Sequence, residues 1–140
     1  VTEDQALEAI ALRWKASWEV LQPLVPFVLG NEAFKPQGLA SYAHLQLQGP
    51  IATRQVTQGP VGSRKFERRG TITVTLYGAL DAGEAPLSKL LKDVHASLES
   101  QTIVGASGTV YMGASSSTPA KLRSWYTRLV AIPFTFYQVR

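Results

Sequence analysis

The chain has 140 residues, 45% hydrophobic and 17% charged, with no cysteine and a net charge of +4. That size supports a single domain, 1–140, with its own core, and the composition excludes wholesale disorder. The lack of cysteine excludes disulfides, thiolate metal clusters and cysteine nucleophiles.

The first predicted element is a helix from Glu3 to Val20. Thr2 and Gln5 have capping-box spacing, and Glu3 and Asp4 suit the positive end of a helix. Leu7, Ile10, Trp14, Trp18 and Leu21 recur at helical spacing, so one face is buried and the two tryptophans are read as core anchors. Pro23 ends the helix. The apolar run Leu21 to Leu29 is interrupted by Pro23 and Pro26 and is too short for a membrane helix. The opening VTEDQ lacks a signal peptide's basic region, so a soluble protein without membrane contact is expected. Pro23, Pro26 and Pro36 preclude a regular helix or a central strand in the connector that follows.

Tyr42, His44, Gln46 and Gln48 alternate with Ala43, Leu45 and Leu47, the pattern of a half-buried strand with His44 on its polar side. Ile51 to Gln58 is read as a second strand and Gln58 to Ser63 as a loop. Arg64, Lys65, Glu67, Arg68 and Arg69 then form a charged burst at the entrance to a third strand. In that strand Ile72, Val74 and Leu76 oppose Thr71, Thr73, Thr75 and Tyr77.

A second helix is predicted from Ala82 to Ser100, capped by Asp81 and Glu84, with Pro86 in its first turn and Leu87, Leu90, Leu91, Val94 and Leu98 inward. His95 borders that stripe. Thr109 to Met112 is read as a short strand and Gly113 to Lys121 as a polar loop. Trp125 to Val139 is a long last strand in which Pro133 demands an edge or a bulge. The expected fold is α+β: a single mostly antiparallel sheet packed by two main helices, in the order α-β-β-β-α-β-β.

The sequence contains no phosphate loop, dinucleotide turn, paired-histidine zinc motif or nucleophile elbow. Glu3, Asp4, Asp81 and Glu84 fall at helix starts, where capping explains them, Glu67 stands alone among bases, and Glu19, Glu32 and Glu99 show no partner in the sequence. Neither an enzyme nor a cofactor is expected. A threonine-lined strand face, a long aromatic last strand and two polar loops instead suggest surfaces that meet copies or partners.

Several short patterns occur in a fixed order here. The first helix precedes a Tyr42-x-His44-Leu45-x-Leu47 strand, and Arg69-Gly70 leads into Ile72-x-Val74. A turn ending at Gly83 and the second helix follow, then a closing strand with Trp125-Tyr126, Ile132-Pro133-Phe134 and Tyr137. This frame resembles the tail terminator proteins of long-tailed bacteriophages, a family of tail completion and neck proteins. The turn Gly78 to Asp81 departs from it in lacking a proline.

The resemblance implies a structural protein of the virion tail, assembled in the host bacterial cytoplasm as a hexameric ring. Such a ring caps the tail tube, offers its other face to the head connector, and lets DNA through without holding it. Under that reading the loops 58–69 and 113–123 carry the contacts, and Arg64, Lys65, Phe66, Arg68, Arg69, Lys121 and Arg123 are the candidate interface residues. Two alternatives stay open. One is a nucleic-acid-binding module that uses the same cations with Phe66 for stacking; the other is a related head-closure or neck protein.

Overall fold

In chain order the elements are α1 (Glu3–Leu21), β1 (Phe27–Leu29), β2 (Ser41–Gln46), β3 (Ala52–Gln55), β4 (Lys65–Ala79), α2 (Ala85–Leu98), β5 (Thr102–Gly105), β6 (Gly108–Met112), β7 (Ser116–Leu122) and β8 (Trp125–Val139). They come from a computed structural model that describes residues 2–22, 27–29, 41–46, 51–79, 85–105, 108–122 and 125–140. The α+β class and the expected order hold. Three further strands, β1, β5 and β7, extend the sheet.

Both α1 and α2 form where the apolar spacing predicts. The Thr2 backbone N–H donates to Gln5 Oε1 at 2.9 Å and the Gln5 N–H to Thr2 Oγ1 at 3.3 Å, which closes the capping box. Ala6, Ile10, Trp14 and Trp18 are buried, and the two indoles stack at 4.5 Å. Leu21, expected inward, is instead 41% exposed at the last residue of the helix. Leu87, Leu90, Val94 and Leu98 form the inner stripe of α2. The cap expected at Asp81 and Glu84 lies outside the described residues.

The sheet is organised by β4 and β8, which pair antiparallel along all 15 residues of each. At about 3.3 Å per residue that is a ribbon of roughly 50 Å. Each long strand is flanked by two short ones in tandem. β2 and β3 pair with successive stretches of β4, and β7 and β6 with successive stretches of β8. β1, parallel to β2, forms one edge, as a proline-flanked segment should, and β5 forms the other.

Pro133 lies in an interior strand, which the missing N–H permits because the outer neighbour breaks there. β6 pairs through Met112 with Phe134, and β7 resumes with Ser116 opposite Ala131. Residues 113–115 thus face only residues 132 and 133, the one-residue surplus of a bulge, and the Gly113 N–H donates to the Pro133 carbonyl at 2.8 Å.

Two loop expectations are corrected. The stretch 113–121 becomes a strand from Ser116 because β8 supplies a full row of backbone partners, which overrides its polar composition. The stretch 58–69 shortens likewise, since strand pairing starts at Lys65 and the Val56 N–H already donates to the Lys65 carbonyl at 2.7 Å. The second strand ends at Gln55 rather than Gln58.

The two faces of the sheet differ. Ala43, Leu45, Ile72, Val74, Leu76, Val110, Met112, Val130, Ile132, Phe134 and Phe136 are buried with the apolar stripes of both helices in one core. Gly70 is required on that face, because a Cβ there would stand 2.6 Å from the Phe134 ring. The opposite face carries Thr71, Thr73, Thr75, Tyr77, Leu129, Ala131, Pro133, Thr135 and Tyr137. Neither described helix packs against it.

Candidate docking interface at the end of the sheet

The strand period of two divides the charged burst. Phe66 and Arg68 share parity with Ile72 and fall on the helix side, whereas Lys65, Glu67 and Arg69 share parity with Thr71 and fall on the open side.

On the helix side Arg68 is tied down. Its Nη2 donates to Glu3 Oε2 at 3.0 Å and its Nη1 to Gln138 Oε1 at 3.0 Å, and its guanidinium lies 5.7 Å from the Phe136 ring centroid. Only 14% of the side chain is exposed. Phe66 is half-buried beneath the Arg140 guanidinium at 4.7 Å. Arg64 lies just before the strand, where its carbonyl accepts from the Arg140 N–H at 2.8 Å.

The open side is arranged differently. Glu67, 7% exposed, lies between β3 and β8. Arg54 donates from Nη2 to its Oε2 at 3.2 Å, and Arg69 pairs through Nε with its Oε1 at 2.6 Å. The Tyr137 hydroxyl donates to Oε2 at 3.5 Å. Lys65 lies 4.6 Å above the Tyr137 ring, whose edge meets Tyr111 at 6.3 Å. The apparently isolated acid of the burst is therefore its organising centre. Arg54 went unread because its link to Glu67 depends on the β3–β4 hairpin register, and β3 itself has no buried alternation to mark it. The available signal was the Gly59-Pro60-Val61-Gly62 loop between two β-rich runs.

The other two candidates do not join this cluster. Lys121 stands opposite Tyr126 in β7, nine positions along β8 from Thr135, the partner of Arg69. That is roughly 30 Å at strand rise, several times the Debye length of about 8 Å at physiological salt, so the two ends act independently. Arg123 lies outside the described residues.

A second polar cluster joins α2 to the bulge. Glu99 accepts hydrogen bonds from the Ser115 N–H, at 2.9 Å, and from the Ser115 hydroxyl, and His95 Nε2 lies 3.9 Å from the same carboxylate. The Ser115 hydrogen bonds hold the Glu99 carboxyl below its ordinary range, with His95 a smaller contributor. His95 Nε2 makes no hydrogen bond, to Ser115 or to any other described residue, so the serine and histidine are not arranged as nucleophile and base. Among the described residues no group of three metal-ligating side chains occurs, and no helix is long and apolar enough to cross a membrane.

No protein-family model matches the sequence, and no curated protein matches it. Solved structures do match the fold. One superposes with a TM-score of 0.74 at 14% identity, over 100% of this chain and 98% of that one. Another is a chain in the virion of a native gene transfer agent particle, with a TM-score of 0.58 at 12% identity, over 94% of this chain and 92% of that one.

Proposed function

We propose that the protein is a structural component of a phage-like virion, acting as a tail terminator. The observation that carries this reading is the likeness, over 94% of the chain, to a chain of a gene transfer agent virion. Its support is the sequence frame that resembles tail terminators, together with a sheet whose face opposite the helices carries threonines and aromatics. The function is associative and has no chemical step. Copies of the chain join by a heterologous contact that closes under six-fold rotation and gives a ring rather than a filament. One ring face binds the last ring of the tail tube and occupies the site where the next tube subunit would add. The other face meets the head connector, and DNA passes through the lumen. The split of the basic burst favours protein contact over a nucleic-acid grip, because Arg68 is already neutralised by Glu3 and the cations among the described residues form no continuous track.

Light scattering over a concentration series, with negative-stain imaging of the protein alone and with purified tail tubes, tests the proposal. Rings, or protein bound at tube ends that stops further growth, are the expected results. A monomer indifferent to tubes but shifted by DNA would overturn it in favour of the nucleic-acid module.

A further inference from the structure

We infer that Arg54 and Arg69, braced by the buried Glu67, form a bracket that binds a carboxylate side chain from an acidic segment of a partner protein. This inference stands apart from the capping role, since it concerns what the bracket recognises in any assembly.

Glu67 is spent within the cluster and does not neutralise it. Two guanidiniums face one carboxylate, leaving one uncompensated positive charge, and Lys65 beside them adds another. Arg54 engages Glu67 through one terminal nitrogen and Arg69 through Nε, so the terminal nitrogens of Arg69 and the second half of the Arg54 fork are left for another acceptor. Both side chains are mostly exposed, at 71% and 65%. Holding two long cationic side chains in place before binding removes part of the entropy that docking would otherwise cost. Planar forks are suited to a carboxylate's two oxygens.

The site's size and surroundings identify the ligand. The depression lined by Ala52, Thr53, Arg54, Glu67 and Arg69 holds about 200 Å³. Pockets that enclose whole small molecules span roughly 300–1,000 Å³, so this one suits an acidic side chain better than a nucleotide. Beyond Arg69 the open face of β4 continues with Thr71, Thr73 and Thr75, which offer a phosphate chain no further cation. The Tyr137 ring is covered by Lys65 and flanked by Tyr111, so it gives a base no stacking platform. Exposed Tyr111 and Val104 on the same face add the aromatic and apolar surface on which a protein contact is centred.

The test is NMR titration of the full chain labelled with nitrogen-15, following the backbone amides of residues 52–54 and 67–69 in every protein and the Nε–Hε signals of Arg54 and Arg69 where both arginines are present. A short polyglutamate peptide and an oligothymidylate of matched charge are added separately. The expected result is saturable movement of both sets of signals by the peptide, and no saturable movement of the backbone amides in Arg54→Gln with Arg69→Gln. Glu67→Gln makes the patch more positive, so a diffuse basic surface would bind the peptide more tightly, whereas a braced bracket binds it about five-fold more weakly. Arg54→Lys with Arg69→Lys keeps the charge but loses the forks, and a similar weakening is expected. Tighter binding by Glu67→Gln, unchanged binding by the lysine pair, or preference for the oligothymidylate overturns the inference. Backbone amide spectra check that each variant is folded, and the lysine pair decides if Glu67→Gln is not.

Discussion

The two faces of the sheet treat adjacent arginines in opposite ways. On the helix-covered face Arg68 is 14% exposed, bonded to Glu3 and Gln138 and laid against Phe136. On the open face Arg69 is 65% exposed and paired with Glu67. The first joins the start of α1 to the sheet and belongs to the fold. The second leaves donors free for a partner. A run of cations in a strand is thus two surfaces, and charge counted along the chain misstates both.

The largest way to break this contrast is Phe136→Ala, which removes a fully buried ring and the platform beneath Arg68. Urea unfolding should show a loss of about 3–5 kcal/mol, whereas Thr73→Ala on the open face should stay within about 0.5 kcal/mol. A loss of equal size from Thr73→Ala would mean that the open face is part of the monomer's own stability.

Gly70→Ala tests the close approach on the covered face. The new methyl group meets the Phe134 ring, and the expected cost is about 1–3 kcal/mol by the same measurement.

Arg68→Ala should cost about 1–2 kcal/mol, through lost hydrogen bonds and lost packing on Phe136. Arg69→Ala should cost under about 1 kcal/mol, because solvent screens an exposed pair and Arg54 still serves Glu67. Equal costs would erase the distinction between the two faces.

The smallest effect concerns acid. Glu99 has its folded pKa lowered by Ser115, so its stabilising contribution is present above the ordinary glutamate value and disappears as pH falls through the lowered one. Thermal melts from neutral into acid pH should show Ser115→Ala losing less stability on acidification than the parent. An identical pH profile would show that the Ser115 hydroxyl does not hold Glu99 in solution.

Much of the fold was legible along the chain. The Thr2 and Gln5 spacing specified where α1 begins, the tryptophan stripe specified its buried face, and the alternation from Thr71 to Tyr77 specified which side of β4 faces the helices. Pro133 announced an irregularity that is the bulge opposite residues 113–115. These signals are local, because caps, turns and side-chain periodicity act within a few residues.

The site was legible only in part. The sequence by itself determined that cations gather at the entrance of a long strand beside one acid. Only the tertiary structure decided that Arg54, 13 residues before Glu67 and on another strand, completes the cluster, and that Lys121 stands at the far end of the ribbon. It also made a strand of Ser116 to Leu122, whose residues carry no apolar period of their own. The physical reason is the same in each case: strand pairing and charge contact depend on register between segments distant in sequence, and that register is fixed by burial of the opposite face and by the hairpin turns.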